Sequence, residues 1–174
     1  KLKEFYKASS PPDLRDLPLP RLDLLKKGKY RVANVVQSSR GCPFNCDFCF
    51  LSVYYGTGIR YRPVEDVAEE IAALDGKLVI FWDENIVGHP EYAKKLFRAL
   101  IPYKKLWLGQ STATIVQDRE LLKLAAKSGC IGLYIGFETT SSASLNAANK
   151  LHNKGLVCKG VVDKLHGHGI TVMA

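Results

Sequence analysis

The sequence predicts an α/β protein built on an open parallel sheet, and three observations carry that prediction. Segments of strand and helix character alternate along almost the whole chain, the order that produces right-handed crossovers between parallel strands. The strand segments are near-continuous apolar runs, above all Leu78-Val79-Ile80-Phe81-Trp82, as expected of strands covered on both faces. Polar residues gather just after these runs instead of scattering through them. In barrels and open parallel sheets, the carboxyl ends of the strands are where chemistry sits. A closed eightfold barrel needs about 250 residues. A chain of 174 residues with five such units therefore predicts a partial, open parallel (β/α) barrel of TIM-like form.

Residues 1–30 read as an interdomain linker. Pro11, Pro12, Pro18 and Pro20 are too dense for a helix or a central strand, and the regularly placed leucines predict that the segment lies against a surface. Residues 31–174 then form the core domain. It opens on a β-branched strand over 32–37, which feeds a loop over 39–49. Gly41 and Pro43 punctuate that loop, the glycine letting backbone approach a bound group closely. Residues 54–58 continue as turn or loop.

Pro63 opens a helix at its first position, with Glu65 and Asp66 in the first turn. Val64, Val67, Ala68, Ile71 and Ala72 recur at helical spacing, and Gly76 stops the helix. The second strand, 78–82, ends on Asp83-Glu84-Asn85. Pro90 opens the next helix, whose Ala93, Leu96, Phe97 and Leu100 face one way. A third strand over 106–108 ends at Gln110-Ser111-Thr112. Asp118 caps a helix carrying Leu121, Leu122 and Ala125, closed by Ser128-Gly129. The fourth strand, 131–137, ends at Glu138. A short helix over 144–150 and a longer one over 156–166 precede a fifth strand, 170–173.

Composition bounds the rest. Hydrophobic residues make up 47% of the chain, enough for a real core. No apolar run approaches the ~20 residues of a membrane span and no signal peptide opens the chain, so reactive thiols predict a reducing cytoplasm. The net charge of +8 raises an anionic partner such as nucleic acid or a membrane surface. Dispersed lysines favour a solvated face instead.

The loop over 39–49 carries the chemistry. Three of the five cysteines, Cys42, Cys46 and Cys49, fall within eight residues at the spacing C-x3-C-x2-C. Thiolates are the protein ligands of iron–sulfur clusters. A four-iron cluster takes four of them, no fourth lies nearby, and one iron is left open to another ligand. A structural zinc site would want four ligands, and Cys158, His166 and His168 lie over a hundred residues away. A bacterial ferredoxin run would continue with a fourth cysteine before proline, and an odd cysteine count clustered this way is no disulfide framework. Cys130 and Cys158 read as small buried hydrophobes, and the four histidines form no metal spacing.

C-x3-C-x2-C with an aromatic, Phe48, before its last cysteine resembles the signature loop of the radical S-adenosylmethionine enzymes, and most closely their cobalamin-binding-type branch. The resemblance extends along nearly the whole chain and implies a six-unit partial barrel. Measured against it the chain reads as truncated after strand five, with the proline-rich segment joining an upstream cobalamin domain outside this chain. It implies a 4Fe–4S cluster on Cys42, Cys46 and Cys49, whose open iron chelates S-adenosylmethionine. Electron transfer then releases a 5′-deoxyadenosyl radical. Asp83-Glu84-Asn85 takes the position of the family's Gly-Gly-Glu motif, which receives the amino group of S-adenosylmethionine, and Glu138 the position of a residue bonding the ribose hydroxyls. Phe48 and Gln110 join the cofactor-binding set. Arg40, Arg60 and Arg62 flank the loop and offer to offset its charge or to bind the cofactor's carboxylate.

The function this implies is reductive cleavage of S-adenosylmethionine followed by hydrogen abstraction, in a cobalamin-dependent methylase or an oxidoreductase. Its substrate would be a small molecule of lipid or tetrapyrrole type, and its electron donor a flavodoxin or ferredoxin. A tRNA-modifying methylthiotransferase and a non-enzymatic iron–sulfur electron carrier remain the alternatives. A carrier would need no nucleoside site at its strand ends.

Overall fold

The computed structural model describes residues 2, 4–6, 10–15, 17–26, 28–30, 34–56 and 58–174. Its first half contains β1 (Val35–Val36), β2 (Ser39–Cys42), α1 (Leu51–Tyr55), β3 (Gly58–Tyr61), α2 (Val64–Ala73), β4 (Leu78–Phe81) and α3 (Pro90–Leu100). The second half adds β5 (Leu106–Ser111), α4 (Arg119–Lys127), β6 (Cys130–Ile135), α5 (Ser142–Ala147), α6 (Cys158–His166) and β7 (Thr171–Met173). Five strands form one sheet in the order β1-β4-β5-β6-β7, and every pairing in it is parallel. This is the predicted α/β architecture. Of the first predicted strand, Val32 and Ala33 lie outside the described residues, and Val35 and Val36 pair with Ile80 and Phe81.

Alternation along the strands sorts two faces. Val36, Val79, Phe81, Trp107, Leu133 and Ile135 are buried, and they belong to the core cluster shared with α2, α3 and α4. At its centre the Trp107 ring stacks on Phe97 at 5.1 Å and meets Phe81 edge-on at 5.5 Å, while its indole N–H donates to Ser128 Oγ at 3.0 Å. Burying side chains of this size stabilises the fold by about 1.5–3 kcal/mol each. The opposite face carries Ile80, Leu108 and Gly132 in one row and Gln110, Tyr134 and Met173 in the next. Trp82 and Tyr134 stay largely exposed there.

The helix ends follow the expected chemistry. Asp118 accepts from the backbone N–H groups of Glu120 and Leu121, both at 3.0 Å, and Pro90 opens α3 behind an N-cap bond from Tyr92 N to His89 Nδ1. At α2 the helix begins one residue later than predicted, with Pro63 as the N-cap. The proline-rich segment packs beside β1: Leu14 is buried, the Pro12 carbonyl accepts from Arg60 Nη1 at 2.8 Å, and Leu14, Leu17, Pro18, Val35 and Trp82 help wall a cavity of about 250 Å3.

The largest departure lies around the cysteine loop. The first strand does not feed straight into an irregular loop, because β2 and β3 form an antiparallel hairpin pairing Ser39 with Tyr61 and Cys42 with Gly58. Part of the predicted loop over 54–58 is instead the end of α1. Gly41 makes the hairpin possible: its φ is +99°, and a Cβ there would collide with the Gly58 carbonyl oxygen.

Candidate functional site

The cysteine loop is fastened to the end of β4 by two carboxylates. Asp83 is 0% exposed and accepts from Ser38 N at 3.0 Å, from Ser38 Oγ at 2.7 Å and from Ser39 Oγ. Burial raises its pKa, and the serine hydrogen bonds oppose that effect. Glu84 Oε2 accepts from Gly41 N at 3.1 Å, one residue from Cys42. Asn85, 1% exposed, accepts at Oδ1 from Thr112 N at 3.3 Å, and Ile86 N donates to the Gln110 carbonyl at 2.9 Å. The ends of β4 and β5 are thus tied to each other and to the hairpin.

Above these ends lies a cavity of about 420 Å3. Cys42, Cys46, Cys49, Phe48, Glu84, Asn85, Gln110 and Glu138 all line it, so eight residues spread over 97 positions of sequence meet on one space. Asp83 does not reach it. Of the 83–85 turn only Glu84 and Asn85 line the cavity, because the Asp83 carboxylate is enclosed by Ser38 and Ser39.

The arginines are also reassigned. Arg62 is buried and paired with Glu70, Arg60 is held by Pro12, and Arg40 Nε donates to Gln37 Oε1 at 2.9 Å. None of the three lines the cavity. The cation that does is Lys150, which the sequence reading left unassigned. Lys150 Nζ lies 3.2 Å from Glu138 Oε1 and 5.4 Å from the centroid of the Phe48 ring. His152, also unassigned, stacks on Phe44 at 3.8 Å. Burial and the Lys150 charge push its pKa down to about 4, so it is neutral at pH 7.

Both residues follow α5, a segment that folds back onto the cysteine loop. Asp47 N donates to the Ala148 carbonyl at 3.1 Å, and Asn149 Nδ2 donates to the Asn45 carbonyl at 2.7 Å. The signal was an Asn-Lys pair closing a short helix: Asn149 takes the left-handed φ of +51° common just past helix ends, which turns Lys150 inward.

The cysteines differ by environment. Burial raises the pKa of Cys42, opposed by the Phe44 backbone and the Asn85 amide, and burial raises that of Cys46, opposed by Lys150. Cys130 is a core residue, its Sγ 3.8 Å from the Gly132 carbonyl and its pKa pushed up to about 12 by burial. All five thiols are free. Among the described residues, no three His, Cys, Asp or Glu side chains converge closely enough to hold a single ion. That gives a zinc centre no ready ligand set, whereas a cluster distributes its thiolates over separate irons.

One further atom points to a ligand. Asn85 Nδ2 is buried and, apart from the Cys42 thiol whose pKa its amide lowers, makes no hydrogen bond among the described residues, so it keeps donor capacity for a ligand. Thiols for metal, acceptors for an ammonium and hydroxyls, and a buried amide donor with capacity to spare together fit an iron–sulfur cluster with a polar nucleoside ligand beside it.

Known proteins resemble this chain in sequence and in fold. The chain is 29% identical over 182 residues to bacteriochlorophyllide d C-12(1)-methyltransferase of Chlorobaculum tepidum, covering 99% of the chain and 40% of that protein. It is 28% identical to the hopanoid C-2 methylase of Rhodopseudomonas palustris, covering 93% and 32%. The chain thus spans well under half the length of these relatives. In three dimensions it resembles the radical S-adenosylmethionine methyltransferase TsrM of Kitasatospora setae, a structure with cobalamin and a 4Fe–4S cluster bound. The TM-score is 0.70 at 18% identity, over 80% of this chain and 30% of that one, a likeness of fold. The sequence model of the Radical SAM superfamily matches residues 36–173, from β1 through β7. With that match over most of its length, the chain belongs to the radical S-adenosylmethionine superfamily.

Proposed function

We propose that residues 31–174 form the catalytic core of a radical S-adenosylmethionine enzyme, in which Cys42, Cys46 and Cys49 hold a 4Fe–4S cluster and leave one iron open. The observation that carries this reading is the single cavity onto which all three thiols and the polar ends of β4, β5 and β6 open. A cluster held by these thiolates would supply the electron for reductive cleavage of S-adenosylmethionine. This chain's residues bind and orient. Glu84 and the carbonyl oxygens of its turn accept from the amino group of S-adenosylmethionine, and the Asn85 and Gln110 amides satisfy its polar edges. Glu138 accepts from the ribose hydroxyls, and the rings of Phe44 and Phe48 exclude water from the cluster's flank. Asp83 and Glu84 also fix the loop that presents Cys42.

Residues 1–30 serve as the linker to a cobalamin-binding domain outside this chain, and the reaction is methyl transfer or a related oxidation of a small molecule of lipid or tetrapyrrole type. Methylases of both substrate types among the relatives support this. A flavodoxin- or ferredoxin-class protein supplies electrons in the cytoplasm. Among the described residues no helix is long and apolar enough to cross a membrane. An electron carrier would gain nothing from a nucleoside-sized cavity with polar strand-end groups beside its cluster.

The test is anaerobic reconstitution with iron and sulfide, followed by electron paramagnetic resonance with and without S-adenosylmethionine. One 4Fe–4S cluster per chain is expected, with a spectrum that changes when S-adenosylmethionine is added. Cys42→Ala, Cys46→Ala and Cys49→Ala should each abolish it, while Cys130→Ala and Cys158→Ala leave it intact. A cluster that survives loss of any of the first three, or requires Cys130, overturns the assignment.

A further inference from the structure

A charge beside the cysteine loop is buried where a lysine would ordinarily reach solvent. The Lys150 side chain is 8% exposed, whereas that of Glu138, its ion-pair partner, is 45% exposed. Such a pair is lopsided. The carboxylate keeps much of its hydration, and the ammonium has given up most of its own. An ammonium has three N–H donors, and Glu138 accepts one of them. A buried ion needs further compensation, since its desolvation costs several kcal/mol.

The compensation faces the cavity. Lys150 lines it together with Cys42, Cys46 and Cys49 and sits over Phe48, the ring between Cys46 and Cys49 in sequence. Its backbone is fixed as firmly as its side chain: Lys150 N donates to the Leu145 carbonyl at 2.9 Å, and the preceding Ala148 and Asn149 are bonded to the cysteine loop. The cation therefore moves with the loop that it serves.

We propose that Lys150 is a positioning cation that sets the reduction potential of the cluster held by Cys42, Cys46 and Cys49. The inference rests on the function proposed above. A cluster on three thiolates is already anionic and gains one more negative charge when a one-electron donor reduces it. No bond forms or breaks at Lys150. A positive charge fixed in a largely dry wall stabilises the more negative state and so raises the potential. Glu138, half in water, cancels only part of that field.

An electron paramagnetic resonance-monitored redox titration of the reconstituted chain, with dithionite as the one-electron reductant, reads the effect directly. Lys150→Gln should shift the midpoint to more negative values, lowering the ratio of reduced to oxidised cluster at fixed potential about tenfold, or 59 mV for a one-electron couple. Lys150→Arg should restore it, and Glu138→Gln should shift it the opposite way. A purely structural lysine would change iron content or melting temperature and leave the midpoint alone. Equal midpoints for Lys150→Gln and the unaltered chain overturn the proposal, as does a negative shift in Glu138→Gln. If Lys150→Gln fails to hold a cluster, Lys150→Met takes its place in the same titration with the same negative shift expected, and an unshifted midpoint there overturns the proposal. If the unaltered chain takes up no cluster, the proposed function itself has failed, and this inference fails with it.

Discussion

Gly136 sits at the end of β6, and its lack of a side chain keeps Glu138 in place. A Cβ there would lie 2.5 Å from Glu138 Oε1 and 3.2 Å from Lys150 Nζ, and the Glu138 backbone, in the left-handed region with φ +61°, has little freedom to follow. Gly136→Ala should therefore push the carboxylate off its position and leave the fold intact, because the clash is with the tip of a flexible side chain. If Glu138 binds the ribose, titration calorimetry on cluster-loaded protein should find S-adenosylmethionine binding weakened in both Gly136→Ala and Glu138→Gln. The expected loss is about ten- to a hundredfold, corresponding to roughly 1.5–3 kcal/mol for a charge-assisted hydrogen bond. Unchanged affinity in both variants would remove Glu138 from the ligand site. Glu138 itself was legible from its place after an apolar strand. Lys150 was not, because a lysine closing a short helix reads as solvated until the chain folds back upon it.

At the scale of elements, the turn after β4 acts as a clasp on the β2–β3 hairpin. Asp83→Ala would leave Ser38 N and two serine hydroxyls without their buried acceptor, a loss on the order of 3 kcal/mol. Calorimetric melting should show a clear drop, and iron content after reconstitution should fall with it, since the clasp positions the strand that ends on Cys42. Asp83→Asn retains one acceptor oxygen and should lose less. An Asp83→Ala protein with unaltered melting and full iron content would contradict the clasp. The alternating strands and helices were readable because each satisfies its own local pattern: the apolar run of β4, the cap at Asp118, the proline at the start of α3. The hairpin was not. Its strands contain glycine and arginine and little β-branched character, and they exist because their backbones pair with each other across a loop that includes α1.

For the molecule as a whole, acid is the informative stress. The His152 pKa falls from an ordinary 6.5 to about 4 in the native protein, through burial and then the Lys150 charge. Between those values the unfolded chain takes up a proton that the native protein refuses, so the contribution of neutral His152 is complete above about pH 6.5 and is lost as pH falls through 4. Melting temperature followed from pH 7 to pH 4 should decline less steeply in His152→Phe, which retains an aromatic ring against Phe44 and cannot titrate. Identical slopes in the two proteins would show that His152 stays neutral without cost to the fold.

The bond from Asn149 to the Asn45 carbonyl joins residues 104 positions apart, and this separation imposes a timetable on biosynthesis. At about 5–20 residues per second, the cysteines leave the ribosome roughly 5–20 s before the segment that covers them. During that interval three reactive thiols stand uncovered, with neither Lys150 nor Glu138 beside them. The finished cavity is therefore a late product of synthesis, complete only once α5 and the residues after it have been made.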